Sequence, residues 1–370
     1  MRQAAAALAL VVLCSFAAGA AASVRPTADC EHPKLGFLGP ITGPAAFIGK
    51  EQLGFVRYAR RLHGEPRVRL VEADTRLEPA QAARAGTKLH ADPDVLAVVG
   101  PAGSQEVLAL APVFRRAPRL PFVSGSAIQA ALTNGSIPSF FRVVPSDRVQ
   151  ALTVASFIER TLKAKRVVVV DDRTAYSRPL ASRVQERLSA GGVQVTRSSV
   201  SQKTTDFSSL VAQIDNSVDV VFLPWQVAAS AESFGRQLRR AGGKAVLFGA
   251  DTLDSGDFTL PGSYVTSFAP DVRALEGNEA FVAGYGRSFV SNFGPPAYVA
   301  AQAAIGAIRK ACADDRATRA EVQRHLRATD IPRIVLGGSL RFTARGDREG
   351  ARFSVFRIGA DGRKTMVGGR

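Results

Sequence analysis

The chain contains 370 residues and carries 48 Lys and Arg against 32 Asp and Glu, which gives a formal net charge of +16 at pH 7. With 46% hydrophobic and 22% charged residues, the composition excludes disorder over most of the length and fits two globular units or one elaborate unit. The basic residues are scattered, without a run of five and without interleaved aromatic residues, so the charge does not indicate a nucleic-acid partner.

The first segment of the chain is typical of an export signal. Arg2 precedes the apolar run Leu8–Phe16, and small residues with A-x-A cleavage motifs follow. The apolar run is about half of the roughly 20 residues that a membrane span needs. Cys14 follows Leu13, where a lipoprotein signal carries a small residue. The sequence therefore predicts a cleaved signal peptide at residues 1–23 and a protein of the periplasm or the exterior, without a convincing lipobox.

Two cysteines, Cys30 and Cys312, remain after this segment. In an oxidising compartment they are a candidate disulfide that closes a very long loop. The alternative is two separate buried thiols, because a sequence does not show the distance between the two Cα atoms. No C-x-x-C or Cys/His ligand spacing occurs, so the cysteines indicate neither a metal site nor a redox site.

Apolar runs typical of strands alternate with stretches of helical periodicity. In the first helical stretch, Leu53, Val56, Ala59 and Leu62 lie on one face. This order predicts an α/β fold with parallel sheets, right-handed connections and helices on both faces. The runs that we expect to be strands buried on both faces are Leu35–Leu38, Val68–Val71, Val95–Val99, Phe140–Val144, Val167–Val170, Val218–Leu223, Ala245–Phe248 and Tyr264–Phe268.

The alternation occurs twice, which predicts two α/β lobes. The later part of the chain returns to helices at about 275–293 and 296–313 and closes with the strand Phe353–Ile358. A chain that passes between two lobes more than once forms a hinge, and a ligand then lies between the lobes near the carboxyl ends of the strands. We assign the first lobe to residues 24–146 plus 268–345 and the second lobe to residues 147–267 plus 346–370.

Short motifs at the ends of these strands make the prediction specific. In order and spacing, from about Lys34 to Ile358, the chain resembles the family of periplasmic leucine- and branched-chain-amino-acid-binding proteins. The motifs that carry the resemblance are Gly39–Pro44 (GPITGP), Glu72–Thr75 (EADT), Val98–Pro101 (VVGP), Pro121–Ala127 (PFVSGSA), Phe141–Val143 (FRV), Val170–Asp172 (VDD) followed by Tyr176, and Thr205–Ser208 (TDFS).

The resemblance implies the type I periplasmic binding protein fold, with two Rossmann-like lobes hinged by three crossovers. It also implies a monomeric extracytoplasmic solute receptor that binds a small molecule, uses no cofactor and delivers its ligand to ABC permease subunits. The protein would then meet the membrane only through the permease.

On the first lobe, the resemblance places Ser104, Ser124 and Ser126 near the carboxylate of an amino acid ligand, with the backbone of the Ser126–Ala127 turn contributing. Turns that lead from a strand into a helix are physically suited to this role, because unpaired N–H groups and the positive end of the helix dipole lie there. The alternative is that these serines only cap helices. Phe47 is the candidate for an aromatic wall.

On the second lobe, the family motif makes Tyr176 a wall of the site and Asp251 the partner of the ligand ammonium group. Trp225, at the end of a strand, is a candidate lid or wall. The alternatives are a buried core position for Trp225 and a turn-capping role for Asp251.

Two positions depart from the family pattern. Ile48 stands where amino acid receptors often present an aromatic residue, and Ile128 stands where a Thr hydroxyl commonly contacts the amino acid. One polar anchor is therefore missing. An amide, an aromatic or keto acid, or another small organic acid remains an alternative to leucine as the ligand.

Catalytic motifs do not fit the sequence. The segment Gly43–Glu51 resembles a phosphate-binding loop, but five residues separate its glycines and Glu51 stands where Ser or Thr binds magnesium. Neither G-x-S-x-G nor H-E-x-x-H occurs. We therefore expect no enzyme but a solute-binding protein of an ABC importer that closes on its ligand; a sensor of the same fold and a hydrolytic enzyme remain the alternatives.

Overall fold

The structure is a computed structural model that describes residues 28–64, 67–286, 289 and 291–369. The predicted signal peptide at 1–23 lies outside the described residues. Among the helices of these ranges, none combines the length and apolar character needed to cross a membrane.

A five-stranded parallel sheet, the first sheet, contains the N-terminal strands. Its spatial order is β3-β2-β4-β5-β6. These strands are β2 (Lys34–Gly39), β3 (Arg69–Asp74), β4 (Val95–Val99), β5 (Phe122–Ser124) and β6 (Phe140–Arg142).

A seven-stranded sheet, the second sheet, has the order β16-β15-β11-β10-β9-β7-β8. β15 pairs antiparallel with β11, and β16 pairs antiparallel with β15, so the prediction of entirely parallel sheets is wrong at this edge. The strands are β7 (Arg166–Asp171), β8 (Gln194–Ser199), β9 (Val220–Leu223), β10 (Val246–Gly249), β11 (Tyr264–Ser267), β15 (Ser354–Ile358) and β16 (Lys364–Gly368).

Short strand pairs lie outside the two sheets. β1 (Ala28–Asp29) pairs with β12 (Arg316–Ala317), and β13 (Asp330–Ile331) pairs with β14 (Leu340–Arg341). Next to the first pair, Cys30 and Cys312 form a disulfide, with their Cα atoms 5.5 Å apart.

Helices pack around both sheets. The α-helices are α1 (Ala46–His63), α2 (Pro79–Ala91), α3 (Ser104–Phe114), α4 (Asp147–Arg160), α5 (Ser177–Ala190), α6 (Ser208–Val211), α7 (Ala228–Arg240), α8 (Glu279–Tyr285), α9 (Gly294–Ala311) and α10 (Arg319–Arg327). Of the helices predicted at about 275–293 and 296–313, the first is only the short α8. The second is α9, which begins two residues earlier than predicted because two prolines occupy its first turn and fix its start.

The first lobe consists of the first sheet with α1, α2, α3, α8, α9 and α10, and the second lobe of the second sheet with α4 to α7. The chain passes between the sheets after β6, after β11 and before β15. The predicted fold class, two lobes hinged by three crossovers, is confirmed. The exact lobe boundaries remain a prediction.

The core follows the predicted pattern where strands lie inside the sheets. Leu53, Val56 and Ala59 of α1 are buried, whereas Leu62 on the predicted apolar face is 53% exposed near the end of the helix. The run at Val68–Val71 was expected to be buried on both faces, but β3 is an edge strand of partly exposed residues. Strands β5 and β8 were not predicted: β5 has only three residues, and β8 is a polar edge strand.

Candidate functional site

The loops that carry the predicted site residues leave the carboxyl ends of parallel strands. Ser104 follows β4 and Ser124 ends β5 in the first lobe. Tyr176 follows β7 and Asp251 follows β10 in the second lobe. Carboxyl ends of parallel strands share one edge of a sheet, so each lobe gathers its polar residues at one edge.

Ser124 organises the turn after β5. Its hydroxyl donates to the Pro101 carbonyl at 2.7 Å and accepts the backbone N–H groups of Ser126 at 3.2 Å and Ala127 at 2.9 Å. A hydroxyl that bonds its own backbone two or three residues on fixes the turn. The Ser124 hydroxyl therefore shapes the turn that the family resemblance assigns to the ligand carboxylate.

The other two serines join neighbouring loops of the first lobe. The Ser126 hydroxyl donates to the Ala102 carbonyl at 2.9 Å and accepts from Nε2 of Gln52 at 2.9 Å. The Ser104 hydroxyl accepts the backbone N–H of Gln129 at 3.2 Å. Gly103, not Ser104, is the N-cap of α3, so simple helix capping does not describe Ser104. The structure thus joins Ser124 and Ser126 directly, through the Ser126 N–H, and bonds Ser104 to Gln129 in the segment that follows their turn; the contact of the three serines with a ligand carboxylate remains a prediction.

A buried carboxylic acid marks the second lobe. Asp251 begins a short 3-10 helix after β10, and its Oδ1 accepts from the Tyr176 hydroxyl at 2.8 Å and from Nε2 of Gln150 at 2.6 Å. The Tyr176 hydroxyl also lies 3.1 Å from the Thr252 hydroxyl. Oδ2 of Asp251 has no hydrogen-bond partner among the described residues. Tyr176 is therefore a hydrogen-bonding partner of Asp251. Its role as a wall of the site remains a prediction.

Burial decides the charge of this acid. Desolvation raises the pKa of Asp251 to about 7, although the hydrogen bonds from Tyr176 and Gln150 act in the opposite direction. Desolvation, with a smaller effect of the nearby Asp251 charge, also raises the pKa of Tyr176 well above its usual value. The acid is thus poised to change charge near neutral pH.

Trp225 lies in the core of the second lobe. It is 2% exposed, its Nε1 donates to the Val170 carbonyl at 2.7 Å, and its ring stacks on Phe207 with centroids 5.4 Å apart. A buried Trp with its N–H satisfied is typical of a packing role. The structure therefore favours the core alternative over a lid or wall.

The positions that depart from the family pattern are also packed inside. Ile48 and Ile128 are buried, and Phe47 is half-buried in an edge-to-face contact with Phe293 at 6.2 Å between centroids. Ile128 supplies no hydroxyl, and its carbonyl accepts the backbone N–H of Asp147 at 2.7 Å. The wall role of Phe47 remains a prediction.

Sequence reasoning missed a contact between the lobes. The amides of Gln105 at the start of α3 and Gln226 after β9 exchange two hydrogen bonds, each 3.2 Å long. Oδ2 of Asp172 accepts the backbone N–H of Gln226 at 2.8 Å and Nε2 of Gln202 at 3.3 Å. Gln105 follows Ser104 and Gln226 follows Trp225, so their place at strand ends was the available signal.

A second buried acid lies beneath the Gly103 turn. Oε2 of Glu106 accepts the backbone N–H of Gly103 at 2.6 Å, and desolvation raises the pKa of Glu106 to about 7.

In the part of the chain that the structure describes, no cluster of His, Cys, Asp and Glu is suited to hold a metal ion.

The sequence of this chain matches a protein family and several individual proteins. A family model described as periplasmic binding protein matches residues 33–363. The Leu/Ile/Val-binding protein BraC3 of Rhizobium johnstonii is 29% identical over 62% of this chain and 64% of its own length, just under two thirds of that relative. The leucine-specific-binding protein of Salmonella typhimurium is 23% identical over 94% of this chain and 96% of its own.

Solved structures share the fold. The leucine-binding protein LivK from Thermotoga maritima superposes with a TM-score of 0.82 at 23% identity, over 91% of this chain and 98% of its own. A solute-binding protein of an ABC transporter from R. palustris, in complex with benzoate, gives a TM-score of 0.80 at 19% identity, over 91% and 96% of the two chains.

Proposed function

The chain belongs to the periplasmic binding protein family, as its motifs predicted, and on this premise we propose that it is the extracytoplasmic solute-binding component of an ABC importer. Several relatives are named for binding leucine, isoleucine and valine, and one protein of similar fold holds benzoate. The relatives compared above are binding proteins rather than enzymes. The proposed ligand is a small amino acid or a related organic acid or amide.

The observation that carries this proposal is the buried Asp251 at the carboxyl edge of the second sheet. Its Oδ2 has no partner among the described residues, and an unpaired buried acceptor costs about 1–3 kcal/mol. A ligand ammonium group supplies three donors and a positive charge. In the other lobe, the turn at Ser124–Ala127 follows a strand end, and its Ser126 and Ala127 N–H groups, which bond the Ser124 hydroxyl in this structure, are the donors that a ligand carboxylate would recruit.

The proposed mechanism is closure about the three crossovers. Ligand that has bound one lobe gains contacts from the other lobe only in the closed state, so it stabilises that state by its differential affinity. The Gln105–Gln226 amide pair supports this mechanism, because it joins the lobes directly. The closed form of a monomer is the state that we propose the permease subunits recognise in the periplasm or at the exterior.

A thermal-shift screen of the mature chain tests the proposal. The panel contains amino acids, amides, aromatic acids and short organic acids. We expect one class to raise the melting temperature and the same compounds to reduce the radius of gyration in small-angle X-ray scattering. A compound that raises the melting temperature but is turned over would contradict a binding function, as would a panel without any hit.

Asp251→Ala is the matched variant for the ammonium assignment. We expect it to abolish the thermal gain from an amine-bearing ligand, because the charge partner is lost. Unchanged binding of that ligand would show that Asp251 is not the ammonium partner.

A further inference from the structure

Helix α4 connects the two halves of the candidate site. The backbone N–H of Asp147 donates to the Ile128 carbonyl at 2.7 Å, and Oδ1 of Asp147 accepts the backbone N–H of Ala130 at 3.1 Å. The first turn of α4 is thus bonded to the segment that follows the Ser124 turn. Gln150 lies three residues further along α4, on the same face as Asp147. This helix therefore brings Gln150 to the place where the lobes meet.

Hydrogen bonds fix the orientation of the Gln150 amide. Nε2 donates to Oδ1 of Asp251 at 2.6 Å and to the Thr266 hydroxyl at 2.7 Å, so both of its hydrogens are used. Oε1 then has to face another direction. The side chain has 0% exposure, so its position is set by packing as well as by these bonds.

Two buried oxygen atoms are left without partners in this cluster. Over the described ranges of the chain, neither Oε1 of Gln150 nor Oδ2 of Asp251 has a hydrogen-bond partner. Both atoms accept hydrogen bonds and neither donates one when the acid is ionised. Tyr176 and Thr266 are already engaged with the other atoms of the same two groups. The cluster therefore lacks a donor, not an acceptor.

We propose that Gln150 determines specificity, because its Oε1 accepts, together with Oδ2 of Asp251, hydrogen bonds from a primary ammonium group of the ligand. The inference rests on the proposed function and narrows its ligand class to compounds with an amine. Ile128 lacks the hydroxyl that the family pattern places at the amino acid, and Gln150 supplies an acceptor from the second lobe instead. A keto acid offers only acceptors and, while Asp251 is ionised, leaves both buried oxygens unpaired.

Binding titrations with paired ligands test this role. The pairs are L-leucine with 4-methyl-2-oxopentanoate and L-phenylalanine with phenylpyruvate, because each pair differs at the amine alone. The variants are Gln150→Leu, which removes the amide, and Gln150→Glu, which keeps an acceptor for the ligand and, when it shares one proton with Asp251, also the bond to Oδ1. Gln213→Leu is the control, because among the described residues its exposed amide bonds only the Ser209 carbonyl. The melting temperature of each ligand-free variant checks folding.

We expect wild-type protein to prefer one amino acid over its keto acid. Gln150→Leu should lower the affinity for that amino acid about tenfold or more, as expected for the loss of a hydrogen bond to a charged group. It should leave the affinity for the keto acid unchanged. Gln150→Glu should restore amino acid binding relative to Gln150→Leu, and Gln213→Leu should match wild type.

Other outcomes overturn the inference in distinguishable ways. An equal loss for amino acid and keto acid in Gln150→Leu means a structural role, and no loss means that Gln150 is not a contact. Because Nε2 of Gln150 also donates to Asp251 and lowers its pKa, a selective loss that disappears at a pH well above the pKa of Asp251 means that Gln150 acts only through Asp251, and it overturns the contact. Wild-type protein that binds a keto acid but neither amino acid overturns the inference and leaves the receptor function standing. If the wild-type protein binds neither amino acid, the inference is overturned. If no compound of the wider ligand panel binds either, the proposed function is overturned as well.

Discussion

At the scale of single residues, the proposed ammonium partner Asp251 should couple ligand binding to pH through its charge state. Its pKa is raised to about 7, first by desolvation and further by the nearby Asp254 charge, whereas bonds from Tyr176 and Gln150 lower it. Below that pH the ligand-free acid is mostly protonated. An ammonium ligand that binds as proposed would pair with the ionised form, so its binding would displace a proton.

We expect affinity for an amine-bearing ligand to rise as pH increases toward about 7 and to level off above it. Well below this pKa, the affinity should change by about tenfold per pH unit. Isothermal titration calorimetry from about pH 5 to 8.5 measures it.

Asp251→Asn should remove this pH dependence. Glu106→Gln is the control, because the pKa of Glu106 is also raised to about 7 while its bond to the Gly103 N–H lies in the other lobe. An affinity that stays constant from about pH 5 to 8 in wild-type protein would rule out the coupling.

The same shift acts on the stability of the ligand-free protein. Asp has a pKa of about 3.9 in an unfolded chain. Between that value and about 7 the folded state therefore binds more protons than the unfolded state, and the free energy of unfolding falls as pH rises. Asp251→Asn should flatten this fall.

Positions of site residues could be predicted from the sequence, but their bonding could not. Tyr176 and Asp251 were found because they follow strands in motifs that resemble a known family. That Tyr176 donates to Asp251 depends on side-chain geometry across two loops, which no spacing encodes. Trp225 shows the same limit, since a strand-end Trp can turn outward or, as here, pack on Phe207.

At the scale of elements, a glycine sets how closely α1 approaches the loop after β2. A Cβ atom at Gly49 would lie 2.2 Å from the Pro40 carbonyl oxygen. Such a contact forces backbone atoms to move, because the neighbour is not a flexible side-chain end. The first turn of α1 also carries Phe47, so its position depends on this approach.

We expect Gly49→Ala to lower the free energy of unfolding by about 1–3 kcal/mol, as overpacking does. Gly306→Ala in α9 is the matched control: outside the helix's own backbone and the neighbouring residues, no atom of the described part of the chain lies within 4 Å of an added Cβ, so helix propensity should raise stability by about 0.5–1 kcal/mol. Urea denaturation measures both variants, and an equal effect of the two substitutions would refute the close-packing argument.

Elements were predictable where the pattern was long and buried. Val95–Val99 and Arg166–Asp171 have continuous apolar runs inside the sheets, and both were located. Gln194–Ser199 alternates without a strong apolar face at the sheet edge, so the sequence carried little signal for it. The antiparallel direction of β15 and β16 depends on where the last crossover returns, which local periodicity does not encode.

At the scale of the whole molecule, the disulfide closes most of the chain into one loop. Cys30 and Cys312 are separated by 282 positions, for which the chain-entropy description gives about 5.6 kcal/mol of stabilisation. Cys312 caps α9, which packs on the first sheet, so the bridge stays within one lobe.

Replacement of both cysteines by Ser should therefore lower the melting temperature strongly and leave ligand affinity unchanged. Differential scanning calorimetry and titration calorimetry on the same samples separate the two effects. If the folded double variant bound ligand more weakly, the disulfide would act on more than the stability of one lobe, contrary to this expectation.

The number of lobes and their hinge could be predicted from repeated strand–helix alternation, and the comparisons confirm the family. The net charge of +16 predicted neither the fold nor the family, since the charged residues are spread over both lobes. The direct Gln105–Gln226 contact was beyond the sequence, because two residues 121 positions apart meet only when the lobes approach.

The late strands and α9 have a consequence for the kinetics of folding. The second sheet receives β15 and β16 only from residues 354–368, and α1 of the first lobe packs on α9, which begins at residue 294. Each lobe therefore needs a segment from near the end of the chain, so neither lobe can complete its core until most of the chain has been synthesised. Contacts between such distant segments slow folding. The newly made chain should remain unfolded for longer than a protein of equal size whose lobes are each built from one continuous segment.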